Sequence, residues 1–196
     1  MAASESVETE VRALCDRGDH DRAATTALRG YGPELYSFLA ALHPRDADDV
    51  FAEVSTRLWR GLPKFAWQSS LRTWAYTIAR NSSHTFRARG GREVALDDAS
   101  EVGRIVNEVR TATQPYLRTD FKDKFAALRA TLPIEDQELL ILRVDRELDW
   151  KELAQTLAER ELAGDELARE AARLRKRFQA LKTKLLELGR REGLVD

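Results

Sequence analysis

Eight cations and six aromatic rings lie between Val54 and Arg92, and no carboxylate separates them. The cations are Arg57, Arg60, Lys64, Arg72, Arg80, Arg87, Arg89 and Arg92. Trp59, Phe65, Trp67, Trp74, Tyr76 and Phe86 are set among them. Over the whole chain the charges nearly balance, 32 basic against 33 acidic, so this block is a local segregation. Cations compensate phosphates and release their counterions. Aromatic faces stack on bases that have left a duplex. Together these residue types suit a single strand of nucleic acid. A solvated basic face over an aromatic core explains the same run, and other segments must decide between the two readings.

A second basic block closes the chain, with Arg173, Arg175, Lys176, Arg177, Lys182, Lys184, Arg190 and Arg191. Residues 1–53 and 93–170 lean acidic. Two basic blocks far apart in sequence suggest two nucleic-acid contacts. Other chemistries lack their residues. His20, His43 and His84 show no metal-ligand spacing. There is no phosphate-cradling glycine loop, nucleophile elbow or isolated carboxylate pair, so neither an enzyme, a metal nor a cofactor is expected. Cys15 is the only cysteine, which rules out an internal disulfide. No apolar run approaches a membrane span, and the start lacks the layout of a signal peptide. A soluble cytosolic protein is expected.

These residues must be carried by helices, because helical periodicity dominates and no strand alternation stands out. The first helix is predicted over Val7–Arg17, ending at Gly18. The second spans about Asp19–Leu42, with a break near Gly30 to Pro33 an option and Leu35, Phe38, Leu39 and Leu42 inward. A third starts at Asp46 as N-cap, buries Val50, Val54 and Leu58, and stops at Gly61 and Pro63. After a KFAWQ loop, Ser69 or Ser70 caps a fourth helix running to about Arg89, with Leu71, Trp74, Ile78 and Phe86 on one face. Trp74 reads as core first and base contact second. Residues 92–120 read as a linker in which a helical piece near Val102–Val109 is compatible. A second domain follows over 121–196: a helix over Lys122–Thr131, one opening at Pro133, one opened by an Asp149–Glu152 capping box, and a last one from about Asp165 to Leu188.

Two short helices, a turn and an arginine-rich helix form a helix-turn-helix layout, whose last helix enters the major groove. Arg169, Arg173, Arg175, Lys176, Arg177 and Lys182 are the candidate upstream duplex contacts. Leu167, Ala171, Leu174, Phe178, Leu181, Leu185 and Leu188 meanwhile form a heptad seam, which alone would suit a coiled coil.

Residues 31–89 closely resemble region two of extracytoplasmic-function sigma factors, a subfamily of the sigma-70 family. The matching pieces come in the family's order: DADDV, EVSTRLW, LPKF, SSLRTWAYTIARN. LRATLPIEDQELLILRVDRELDWKELAQTL resembles the start of region four, and LRKRFQALKTKL its recognition helix. The resemblance implies an all-α protein with a region-two domain over 1–91, a linker over 92–120 and a helix-turn-helix region-four domain over 121–196. It implies a bacterial transcription-initiation factor whose partners are the RNA polymerase core, through clamp and flap, and promoter DNA. An anti-sigma factor or other regulator is common in the family. The implied core-polymerase surface is Asp46, Asp48, Asp49, Glu53, Arg57 and Trp59. The implied minus-ten reader is Lys64, Phe65, Trp67, Gln68, Ser69, Ser70, Arg72, Arg80, Asn81, His84 and Arg87, with the loop holding a flipped base.

Two positions depart from the family pattern. The turn AERELAGDELAREAA is longer than the family's, which leaves the start of the recognition helix open. Ser55 stands where the family usually has Phe; a surface hydroxyl is its plain reading, and a phosphate acceptor the sharper one. A dimeric helix-turn-helix regulator, with the heptads as dimer seam, is the alternative function. It leaves the acid-free aromatic block without a purpose.

Overall fold

A computed structural model describes residues 2–91, 100–113, 127–158 and 160–193. Every regular element among them is helical. The chain divides into two compact units, Met1–Leu117 and Arg118–Asp196.

The first unit is built on α2, His20–Leu42, against which α1, Ala2–Asp16, and α3, Ala47–Gly61, both pack. A short 3-10 turn, Leu62–Lys64, leads through the loop to α4, Leu71–Ala88. Glycine ends α1: Gly18 takes a φ of +76°, which costs a residue without Cβ nothing. The core joins Leu28, Leu35, Phe38 and Leu39 of α2 to Phe51, Val54 and Leu58 of α3 and Leu71 and Tyr76 of α4. Phe38 meets Tyr76 edge-on at 5.7 Å, and Tyr36 meets Phe51 at 5.4 Å, geometries that aromatic quadrupoles favour.

Several expectations need correction here. Helix α2 runs unbroken through Pro33. Proline removes one hydrogen bond and crowds the carbonyl of Arg29. That penalty is outweighed because the helix is buried along its length from Ala23 to Leu39, while Pro33 itself faces out. Asp46 is at the N-cap position of α3, but its side chain makes no cap hydrogen bond. Ser55 is not on the surface; it is fully buried and its hydroxyl donates to the Phe51 carbonyl at 2.8 Å. That removes both its surface reading and its phosphate-acceptor reading.

The expected linker contains the helical piece allowed near Val102–Val109, longer than that and packed on the first unit. Glu101–Thr113 forms α5, which packs on α2 and α3. Ile105, Val106 and Val109 are buried there, and Gly32 of α2 lets Val109 come close. Arg29 of α2 forks onto Glu108, with its Nη2 3.0 Å from the carboxylate. The first compact unit therefore extends well past residue 91. The expected boundaries at 92 and 121 lie outside the described residues.

In the second unit, residues 127–130 are helical and precede α6, Ile134–Leu140. The rest of the helix expected over Lys122–Thr131 lies outside the described residues. Helix α6 loosens into a π-helical turn over Ile141–Asp145. Helix α7, Trp150–Leu157, opens on the expected box: Asp149 accepts from the Lys151 and Glu152 N–H groups, and Glu152 accepts from the Asp149 N–H. Helix α8 runs from Gly164 to Arg191 and packs on α7 and α6. Its seam, Ala171, Leu174, Leu181 and Leu185, is buried within the chain.

Candidate nucleic-acid and polymerase interfaces

The loop between the 3-10 turn and α4 gathers three rings. Phe65 stacks on Trp74 at 4.6 Å with planes 22° apart. Trp67 tilts against Phe65 at 4.9 Å. Trp74 is half-buried against Gly61, where a Cβ would come within 3.0 Å of its ring. It is therefore a platform for Phe65, neither deep core nor a free face. Trp67 is half-exposed and carries a φ of +58°. A non-glycine residue in that region is strained, and such strain persists only where the surroundings over-determine it.

Ser70 starts α4 by accepting the Thr73 N–H at 3.1 Å and pairing with the Thr73 hydroxyl at 2.8 Å. Lys64 and Gln68 are exposed and Ser69 half-buried. Along α4, Arg80, His84 and Arg87 share one stripe by helical spacing, with exposed Asn81 beside it. Arg72 stands apart from them. Its guanidinium lies on the Glu34 carboxylate of α2, with Nη2 2.7 Å and Nε 2.9 Å from the two oxygens, and only 20% of its side chain is exposed. Its first task is to tie α4 to α2.

The expected polymerase surface on α3 is similarly split. Asp46 is exposed, and Asp49, Arg57 and Trp59 are half-buried. Asp48 accepts from the Tyr36 hydroxyl at 2.7 Å and pairs with Arg110 of α5 at 3.1 Å. Glu53 is buried, bonded to Arg57 and 3.8 Å from Arg89. An outward face therefore offers Asp46, Asp49 and Trp59, while Glu53 holds two arginines from beneath.

In the second unit the described part of the long turn, residues 160–163, ends where Gly164 opens α8 with a φ of +52°. The Leu162 N–H donates to Gln155 Oε1 at 3.2 Å, which pins the turn to α7. Arg160 bonds Glu166, and that bond holds the Glu166 carboxyl below the usual carboxylate range, with Arg169 adding to the effect. Helical spacing puts Arg169, Arg173 and Lys176 on one exposed face of α8. Arg173 also reaches Glu170 of its own helix at 3.0 Å. The other candidates differ. Arg175 lies over the Trp150 ring, 5.4 Å from its centroid, with Arg143 of the π turn at 4.7 Å. Arg177 bonds Asp136 of α6 at 2.8 Å. Lys182 is exposed but sits next to the buried seam residue Leu181.

Sequence reasoning missed the partners. Glu34, Tyr36, Arg110, Trp150 and Asp136 carry no motif that assigns them to these side chains. It also missed His43, buried at the end of α2, whose Nε2 lies 2.7 Å from the Ser83 hydroxyl of α4 and whose ring meets Phe86 edge-on. Two residues of α1 reach this region without any sequence signal of it, Arg12 at the loop's Trp67 and Glu8 at Leu71, the first residue of α4.

Comparison with known proteins places this geometry. The family model of sigma-70 region 2 matches residues 27–93, the span that carries α3, the aromatic loop and α4. The RNA polymerase sigma factor YlaC of Bacillus subtilis (strain 168) is 34% identical over 147 residues, which cover 70% of this chain and 81% of that protein. No solved structure matches the chain. With region two matched as a unit and a sigma factor alike over most of its own length, the chain belongs to the sigma-70 family of RNA polymerase sigma factors, and its motif set is that of the extracytoplasmic-function subfamily.

Proposed function

We propose that the chain joins the RNA polymerase core through the outward acids and Trp59 of α3. In that holoenzyme the loop over 64–70 and α4 capture the melted minus-ten strand, and α8 reads the minus-thirty-five duplex. The assembly works on promoter DNA in the cytoplasm, and a regulator of the anti-sigma kind would act on it. The observation that carries the reading is the ring ladder Phe65, Trp67 and Trp74 at the mouth of an acid-free helix. Extracting a base costs a few kcal/mol, which stacking and edge contacts must offset. A half-exposed indole held in a strained backbone offers such a face once Arg12 moves off it. The stripe Arg80, Asn81, His84 and Arg87 then suits the strand's backbone, and Arg169, Arg173 and Lys176 suit the major groove.

The dimeric alternative needs a seam free to pair. Ala171, Leu174, Leu181 and Leu185 are instead covered within the chain, which favours use of the heptads as internal packing.

Permanganate footprinting tests strand capture. Trp67→Ala holoenzyme should still bind duplex promoter yet form few open complexes, and a pre-melted bubble should restore part of that loss because unpairing is already done. An Arg173→Ala defect in upstream binding should not respond to the bubble. A Trp67→Ala enzyme that opens duplex promoters as well as the parent would move strand capture to another element.

A further inference from the structure

Helix α1 lies outside the span matched by the region-two family, yet one of its side chains touches the loop and another the first residue of α4. Glu8 Oε2 accepts the Leu71 N–H at 2.9 Å. Leu71 is the first residue of α4, and its N–H has no partner within that helix. One turn further along α1, the Arg12 guanidinium lies over Trp67, 5.2 Å from the ring centroid. The helix that delivers them is firmly seated. Val11 and Leu14 are 0% and 2% exposed. Val7 sits so close over Gly30 that a Cβ there would come within 2.6 Å of a Val7 methyl.

Arg12 differs from Arg72, the arginine in the first turn of α4. Glu34 holds Arg72 in an ion pair. Arg12 is exposed, and among the described residues no carboxylate pairs with it. Its charge therefore lies over the ring on which a base would stack, from which an incoming base would displace it toward the strand's backbone. A guanidinium can lie flat on an indole and keep its edge N–H groups free for a phosphate.

We propose that Arg12 binds the captured strand: when Trp67 receives an unstacked base, Arg12 pairs with the phosphate of that nucleotide, while Glu8 holds the first turn of α4 in register. The inference rests on the strand-capture reading of the 64–70 loop. It extends the DNA surface to a helix that precedes the matched region.

The test uses holoenzyme assembled with the parent chain, Arg12→Ala, Arg12→Lys or Trp67→Ala. Each is titrated with a fluorescent single strand carrying the downstream element of a promoter selected from a random library. Titrations run from about 50 to 200 mM salt, where one phosphate contact to a single strand contributes about 0.7 to the slope of log K against log salt. Arg12→Ala should bind more weakly and flatten that slope by about 0.7. Arg12→Lys should keep the slope, and Trp67→Ala should weaken binding at an unchanged slope. Parent-like affinity in Arg12→Ala, or weaker binding at an unchanged slope, overturns the phosphate contact and leaves the Trp67 reading standing. A lysine variant that loses the slope overturns it as well. Parent-like binding by Trp67→Ala sinks the loop assignment on which the inference rests. Core-polymerase affinity and circular dichroism of each variant establish that every holoenzyme forms from a folded chain.

Discussion

Replacing Gly32 with alanine sets two effects of opposite sign against each other. Alanine is favoured over glycine inside a helix by about 1 kcal/mol, and Gly32 is deep within α2. On propensity alone, Gly32→Ala stabilises the chain. A Cβ at this position, however, would lie 3.1 Å from both methyls of Val109 and 3.4 Å from the Phe51 ring. Val109 is 4% exposed and Phe51 1%, so neither neighbour has open space to retreat into. Overpacking of this kind costs about 1–3 kcal/mol. The net expectation is a loss of about 1 kcal/mol, the difference between those two ranges. Removing the Val109 methyls should reverse the sign: in a Val109→Ala background, Gly32→Ala should recover most of the propensity gain. Urea unfolding followed by tryptophan fluorescence measures the cycle. A Trp150→Phe background leaves Trp59, Trp67 and Trp74, all in the first unit, as the only reporters. If Gly32→Ala stabilises the parent by the full propensity, or if the two substitutions simply add, α5 is not seated against α2 and the first unit ends before it.

Two further outcomes divide roles within single elements. Lys176→Ala should lower duplex affinity and reduce the salt slope by about 0.9 while leaving stability within about 0.5 kcal/mol. Arg177→Ala, which breaks the bond to Asp136, should instead lower the unfolding midpoint and change the salt slope little; fluorescence anisotropy and urea melts read the pair. On α3, charge reversal at Asp46 and Asp49 should weaken core-polymerase binding without altering helical content, and an unchanged affinity would put the polymerase surface elsewhere.

How far the sequence reveals this molecule depends on whether each residue's role is local. The Ser70 cap, the capping box at Asp149 and the ends of α3 and α4 follow from neighbours a few positions away, and they are legible. Helix α5 is less so. Its buried residues Ile105, Val106 and Val109 form a short stripe, and Gly103 looks like a breaker, whereas in the fold it is a buried helix residue. Pro33 misleads in the same way, because burial of the surrounding helix outweighs a local rule. The basic residues show the limit most clearly. Composition identifies a cation but not its partner: Arg72 finds Glu34, 38 positions away, and Arg177 finds Asp136, 41 positions away. Of the candidates on α8, three share an exposed row, and two of the rest are drawn onto Trp150 and Asp136.

That division of α8 has a consequence for how such a protein can diversify. Arg169, Arg173 and Lys176 project from the helix and take no part in the seam that holds it. On the proposed reading of α8, substitutions along that row would alter which bases are met while leaving the protein folded, so a duplicated gene could drift toward a new promoter by single steps with no loss of stability to repair. Arg175 and Arg177 are not open to the same drift, since each also fastens α8 to its own unit. If α8 reads the duplex as proposed, the range of promoters reachable by gradual change is set by the three exposed positions.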